Sequence, residues 1–393
     1  MNRLRLAIRI LLVLTLTIAA AGCAKKNAVP VPVPVPQPVK LFKIAFVYIG
    51  TVNDLGWTQA QDQGRQYLTK LLPGVEASYV EAVKPGDDAE LMLAELAEKG
   101  NRVIFATDGS YSDAVLKVAK RYPKTVFMVY SGAKTAANVG VYAGRMYQPR
   151  YLAGLVAGKM TAQDLIGYVA AEPDPEEIRD IDAFTLGVQK VNPRASVQVV
   201  WTYSRLELQY ENEAVRGLIK DGADIIVQQR DDPAVRPPAS ERAVHFIGSD
   251  GDLSRQAPLD DLATTGWNWG PIFAETVEAV QGGTWSSGQT WGDISSHTVD
   301  LAPLNPIVPQ DVRMLVQSQK NQLLQGTEEI FVGPLKDQHG VLRLKAGQRL
   351  TDTQLLSLDW FVAGVKTPPS PTVPKESESQ ALSPLGDNQR NGN

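Results

Sequence analysis

A single cysteine, Cys23, serves the whole 393-residue chain, so no internal disulfide can form and no second thiol is on hand as nucleophile or metal ligand. Histidine is as sparse. His245, His297 and His339 lie far apart, with none of the local spacings that present a metal-binding set. Charge of one sign is missing too: 39 basic against 43 acidic residues, with no dense Lys/Arg run, leaves no electrostatic footprint for nucleic acid. After residue 22 no stretch is long and apolar enough to cross a bilayer, which takes roughly 20 apolar residues. Several signatures of catalysis are also absent. There is no Gly-x-Ser-x-Gly elbow. "GLVAGKM" (154–160) is one residue short between its glycines for a phosphate loop, and it has Met where Ser or Thr must reach magnesium. Its small residues suit a helix that packs closely on a neighbour. Asp250, Asp252, Asp260 and Asp261 lack the spacing of a calcium loop. These absences point away from an enzyme and away from a bound cofactor.

What is present begins at the N-terminus. Arg3, Arg5 and Arg9 without an acid, an apolar stretch over 10–21 and the small residues Ala20, Ala21 and Gly22 form the three-part layout of a secretory signal. Ala-Ala-Gly-Cys resembles the bacterial lipobox, which implies cleavage before Cys23 and lipid on that residue. The alternative is an ordinary signal with an incidental thiol. Residues 29–39 then alternate valine with proline, which fixes φ and favours an extended polyproline spacer. Residues 366–393, rich in Pro, Ser and charge, read as a disordered tail. The expected layout is a signal over 1–22, a lipidated Cys23 with a linker to 40, and a folded part over 41–365.

Within the folded part strands alternate with helices. "FKIAFVYIG", "EASYVEAV", "NRVIFATDG" and "KTVFMVYSG" read as strands, with helical periodicity in "TQAQDQGRQYLTKLL", "DDAELMLAELAEKG" and "YSDAVLKVAKRYP" between them. After a bridging segment the theme restarts with "LIGYVAA", "ASVQVVWTYS", "ADIIVQQ" and "AVHFIGSDG" as strands. The spacing predicts an α/β protein with two doubly wound, Rossmann-like parallel sheets facing each other across a cleft. Lobe 1 is assigned to 41–147 with part of 262–365, lobe 2 to 148–261, and crossover, helix and C-terminal hairpin to 262–365.

Ligands in such sheets sit beyond the carboxyl ends of the strands. Asp54 and Trp57 follow the first strand, Asp108, Ser110 and Tyr111 the third, and Trp201 and Tyr203 close the strand after Val197. Gln229, Arg230 and Asp231 follow "ADIIVQ", Asp250 follows "HFIGS", and Trp267 and Trp269 lie in a crossover. Flat rings with a few polar groups at the rim are what selective capture of a planar heterocycle requires. Each residue also has a structural reading. Asp54 and Asp108 are placed to cap helices, Trp57 to pack at a helix start, and one of the two crossover tryptophans to fill the hinge.

"DLGWTQAQDQGRQ", "YAGRMYQPRYLAGLVAGKM", "IDAFTLGVQKVNP", "GADIIVQQ", "TGWNWGPIF" and "VGPLKDQHGVLRLKAG" together resemble, in order and spacing, substrate-binding lipoproteins of the basic membrane protein family. These serve ATP-driven importers and bind purine nucleosides, nucleobases or related heterocycles. The resemblance spans nearly all of 42–365. It implies a type I periplasmic-binding fold with a hinge between lobes, a purine base or nucleoside as ligand, and ABC permease subunits as partners. It also implies stacking of Trp57 and Tyr111 on the base, and Asp250 as the acid for a sugar hydroxyl. The lysine that nucleoside binders carry soon after that acid is absent from "LATTGWNWG", which favours a free base. A ligand-sensing or surface binding lipoprotein of the same fold is the alternative.

Overall fold

The computed structural model describes residues 41–367 apart from 55, 133, 205–206, 229–243, 251–252 and 254–260. The expected signal, Cys23, the Val-Pro linker and nearly all of the tail lie outside the described residues, as do Gln229, Arg230 and Asp231.

The first sheet is wholly parallel. Its strands are β1 (Phe42–Val47), β2 (Val75–Val80), β3 (Val103–Ala106), β4 (Val126–Tyr130), β5 (Val139–Gly144) and β11 (Gln289–Gly292), in the order β11-β5-β4-β3-β1-β2. The four residues of β3 and the last four of β1 are buried, as a parallel strand covered on both faces by helices must be. Helices α1 (Trp57–Leu71) and α7 (Gly270–Gly282) cover one face, packing Ala60, Leu68, Ile272 and Phe273 on Ile44, Phe46 and Phe105. Helices α2 (Asp87–Glu98) and α3 (Ser112–Arg121) cover the other with Leu93, Leu96, Val115 and Val118.

The second sheet contains β6 (Leu165–Ala170), β7 (Ser196–Trp201), β8 (Ile225–Val227), β9 (His245–Gly248), β10 (Asp261–Trp267), β12 (Val299–Leu301) and β15 (Val365–Lys366), ordered β12-β10-β9-β8-β6-β7-β15. All neighbours are parallel except β10 and β12. Helices α4 (Tyr147–Met160), α5 (Pro175–Val191) and α8 (Gln310–Leu324) share one hydrophobic core with this sheet, and α6 (Leu208–Lys220) lies in a separate cluster with Ile226 and Phe246. Helices α4 and α5 touch backbone to backbone: a Cβ on Gly154 would stand 2.1 Å from the Phe184 carbonyl oxygen, and one on Gly187 2.1 Å from that of Tyr151. The close-packing reading of "GLVAGKM" holds for Gly154 and also for Gly158, whose Cβ would stand 2.7 Å from the Val188 oxygen.

The chain passes between the sheets at 144–147, 267–270 and 292–299. A C-terminal segment then folds onto the second lobe. It holds the hairpin β13 (Leu335–Lys336) and β14 (Leu342–Leu344), then α9 (Asp352–Leu356) started by a Thr351/Gln354 capping box, then β15. Lys366, assigned from sequence to the tail, is an edge-strand residue because it pairs with Gln198. Arg179 donates to the Leu355 carbonyl (3.0 Å), and Asp182 accepts from the Val362 amide (2.9 Å). No helix among the described residues is long and apolar enough to cross a membrane.

Candidate ligand-binding site

Residues beyond the carboxyl ends of β1, β3 and β4 meet those of β9 and β10 at an aromatic cluster that is part of the first lobe's core. Trp57 opens α1, just beyond β1. Asp54 holds that helix start in place by accepting from the amides of Gly56, Thr58 and Gln59 at 3.0, 2.9 and 3.0 Å. Its carboxylate works as the cap, neutralising amides that the first turn leaves unpaired. The Trp57 indole N–H donates to the Thr107 carbonyl after β3 (2.9 Å), which pins the ring at the sheet edge.

Three rings meet Trp57 edge-on. Tyr130, the last residue of β4, has its centroid 4.4 Å away at 61°, Trp267 is at 5.6 Å and 86°, and Trp269 at 5.9 Å and 80°. Trp267 and Trp269 stack on each other at 4.7 Å and 15°. The alternation that puts both side chains on one side thus survives, although β10 ends at Trp267. Gly144 makes room for this stack, since a Cβ there would approach the Trp267 ring to 2.4 Å. On the lobe 2 side Trp267 donates its indole N–H to Asp250 (2.6 Å). Asp250 itself has a left-handed backbone (φ 57°), a conformation that Asp tolerates better than most residues.

Beneath Asp250 lies a buried polar group. Arg150 of α4 donates to Ser249 Oγ (2.7 Å), and Ser249 in turn donates to the Gln228 carbonyl. Burial works against the Arg150 charge, but Tyr168, Asp180, Asp250 and Glu177 more than offset it, and the guanidinium is held above its ordinary pKa. Asp180 is 3.9 Å from Arg150 Nε, and burial pushes its carboxyl well above the usual range in spite of Arg150 and Arg179. Of this pair, Arg150 keeps the charge, because guanidinium does not give up its proton in a protein.

Some residues expected at the site lie elsewhere. Tyr111 does not face Trp57 across a ligand. It is fully buried in the core between the sheet and helices α2 and α3, its hydroxyl donating to the Val83 carbonyl (2.6 Å). Burial first, and Asp108 second, raise its pKa. The physical reason is direction: the turn after β3 sends Asp108 outward and rolls Tyr111 back over the sheet. Asp108 caps that turn, accepting from Ser110 N (2.9 Å) and Ser110 Oγ (2.5 Å), so both side chains are occupied with each other. Trp201 ends β7, which β6, β8 and β9 separate from β10 and its Trp267, and packs near Phe361 of the C-terminal segment at 6.2 Å. Tyr203 is exposed.

Sequence reasoning passed over Tyr130, Ser131 and Glu176. Tyr130 donates its hydroxyl to Glu176 Oε1, and Ser131 Oγ donates to Glu176 Oε2 (3.3 Å), so lobe 1 is joined to the first turn of α5 in lobe 2. The signal was available: Tyr130 and Ser131 close a strand at the same edge that marked Trp57 and Asp108. Among the described residues no group of three His, Cys, Asp or Glu side chains is placed to hold a metal.

Residues 41–329 match the Bmp family, described as "ABC transporter substrate-binding protein PnrA-like". A purine-binding protein of Brucella abortus (strain 2308) is 37% identical over 324 residues, covering 82% of this chain and 92% of that one. A putative ABC transporter glucose-binding protein of Haloferax volcanii is 36% identical over 289 residues, 74% of each chain. An ABC transporter solute-binding protein from Conexibacter woesei superposes with a TM-score of 0.62 at 23% identity, over 73% of this chain and 97% of its own, which is a likeness of fold. Parallel sheets in two hinged lobes and a match over most of the folded residues agree, and the chain belongs to the PnrA-like family of ABC transporter substrate-binding proteins.

Proposed function

We propose that the protein captures a free purine base between its lobes and delivers it to the permease of an ATP-driven importer, while lipid on Cys23 holds it at the membrane. The observation that carries this reading is the meeting of the Trp57, Tyr130 and Trp267 rings where the lobes join, backed by the buried Trp269, with the nearby Asp250 carboxylate already receiving the Trp267 N–H. A base offers a flat face and a short polar rim, which aromatic walls match. A ribose would compete for a carboxylate that an indole occupies. The name of the Brucella relative supports a purine.

The name of the Haloferax relative suggests a sugar as the second reading. Sugar capture needs several carboxylates or amides aimed at hydroxyls, because each buried hydroxyl left unpaired costs about 1–3 kcal/mol. Among the described residues Asp54 and Asp108 are turned to capping and Asp250 to Trp267, which weighs towards the base.

Mass spectrometry of small molecules released from the denatured, freshly purified protein tests this directly. A purine base at near-equimolar yield is the expected result. Recovery of a hexose, or calorimetric binding of glucose with none of adenine, guanine or hypoxanthine, would overturn it. Loss of uptake of the bound base on deleting the gene separates transport from ligand sensing by the same fold.

A further inference from the structure

We propose that Glu176 is a positioning residue for ligand binding: it reaches across the cleft to hold Tyr130 against Trp57 and so latches the two lobes in the closed state. The proposal rests on the cleft being the binding site.

The residue is free for this work. Glu176 lies in the first turn of α5, where an acid usually serves the helix start. Here Asp174 does so, accepting from the amides of Glu176 and Glu177 at 2.9 Å each, with Pro175 at the first helical position. The Glu176 carboxylate is therefore not needed as the cap. It remains where the positive end of the helix favours a negative charge, and it points to the other lobe.

Its partners are specific. Tyr130 has its ring in the aromatic cluster, 4.4 Å from Trp57, 5.7 Å from Trp269 and 5.8 Å from Tyr142, while its hydroxyl is on Glu176. One side chain thus belongs to both the ligand wall and the lobe contact. Ser131 adds a second bond to the same carboxylate from a left-handed backbone (φ 49°), a conformation that Ser adopts seldom and at a cost. The Ser131 amide is fixed by the Tyr142 carbonyl (2.9 Å). Two hydroxyl donors from one lobe converging on a carboxylate of the other make a charge-assisted contact that exists only while the lobes are shut. The bidentate pair of Arg145 with Asp352 (2.9 and 2.7 Å) differs in kind, because Arg145 sits in a crossover, where rotation displaces atoms least.

Closing the lobes therefore brings the ring that lines the cleft into register, and a ligand that departs must first break the latch. Energetically the latch favours the closed form with or without ligand, which slows release and shifts the ligand-free population towards closure.

The test uses the full-length chain carrying Cys23→Ser, so that every folded residue is kept and no detergent is needed. Into it go Glu176→Ala, Glu176→Gln, Tyr130→Phe and the pair Glu176→Ala with Tyr130→Phe. Small-angle scattering without ligand reads closure, and stopped-flow tryptophan fluorescence reads release of whichever of adenine, guanine and hypoxanthine binds the parent protein. Glu176→Ala and Tyr130→Phe should each expand the ligand-free protein and speed release by about tenfold, the loss expected for a hydrogen bond to a charged partner. The pair should do little more than either alone, and Glu176→Gln, which keeps an acceptor, should fall between. Tyr130→Phe retains the ring, so a folding defect does not stand in for the effect. Unchanged ligand-free dimensions in both single variants, or release rates that multiply in the pair, would overturn the latch. If the parent protein binds none of the three bases, the purine reading fails, and the scattering alone still decides the latch.

Discussion

Trp267 and Asp250 are joined by an indole N–H to carboxylate bond of 2.6 Å, made by the last residue of β10 to the loop that follows β9. Each partner is held awkwardly without the other, Trp267 over a glycine at 144 and Asp250 in a left-handed backbone. We predict that Asp250→Ala lowers stability by about 1–3 kcal/mol, because it strands a buried donor and puts alanine at a positive φ. Asp250→Asn should cost less, since asparagine keeps an acceptor and accepts that backbone. Urea unfolding of the three proteins measures both. Equal loss in the Ala and Asn variants would mean that the carboxylate charge, and neither the acceptor nor the backbone, is what counts.

The approach of α4 to α5 makes a second, opposite test of intuition. Alanine is the better helix former by about 1 kcal/mol over glycine, yet Gly154→Ala would drive a methyl group to 2.1 Å from the Phe184 oxygen. We expect Gly154→Ala to destabilise by at least about 2 kcal/mol, as overpacking does when backbone cannot yield. Gly217→Ala, on the exposed side of α6 with nothing near its would-be Cβ, should be neutral or better. A lower urea midpoint for Gly217→Ala than for Gly154→Ala would refute the packing argument.

Much of this architecture was legible because its strands are short apolar runs between turn residues, as in Phe42–Val47 or Val103–Ala106. The bridging segment was not resolved into β5 and α4. Gly140 and Gly144 dilute the strand signal in β5, and the second is there for the bulk of Trp267. Helix α4 is buried nearly all round, so it has no polar stripe for periodicity to detect. At the cleft the sequence marks which residues follow a strand, but not the side on which a turn delivers them. That is why Trp57, Asp250 and Trp267 converge while Tyr111 rolls into the core. Glu176 looked like one more acid at a helix start, and its freedom became visible only when Asp174 proved to be the cap.

Trp57 carries the binding prediction alone, now that Tyr111 lies in the core. Removing a ring that stacks on a base costs roughly 1–3 kcal/mol, so Trp57→Ala should weaken purine binding about tenfold or more. Trp57→Phe keeps a stacking face but loses the bond to the Thr107 carbonyl, and should fall between. Tyr111→Phe, which removes only the bond to the Val83 carbonyl, should bind like the parent and unfold more easily. Calorimetry with adenine, guanine and hypoxanthine distinguishes these. Parent-like affinity in Trp57→Ala would remove that residue from the site.

The anchor prediction depends on Cys23 and the tripeptide before it. Cys23→Ser should move the exported protein from the membrane to the soluble fraction. A variant that sediments with membranes as fully as the parent would contradict lipidation.

The last prediction concerns pH. Asp182 is fully buried in α5, with one carboxylate oxygen accepting from the Val362 amide (2.9 Å) and the other without a hydrogen-bond partner. Burial raises its pKa well above the usual carboxylate range, and the Val362 amide offsets only part of that. Asp180 is displaced in the same direction, again by burial first. In the unfolded chain both titrate near ~4. A raised folded pKa means that the native state holds its protons to higher pH than the unfolded state. The stability this contributes is complete below ~4 and drains away as pH climbs through the folded values. Asp62, Asp293 and Asp352 are lowered and work the other way, losing their contribution as pH falls below the unfolded value. Stability should therefore rise as pH is brought from ~8 to ~5, then fall under ~4 as those lowered carboxylates protonate. Asp182→Asn removes one proton from this balance while keeping an acceptor for the Val362 amide. Its unfolding free energy should vary less between pH ~5 and ~8 than that of the parent, and its relative standing should improve towards alkaline pH. Urea unfolding across that range gives the slopes directly. Parallel pH profiles for parent and Asp182→Asn would show that Asp182 does not hold its proton in the folded protein.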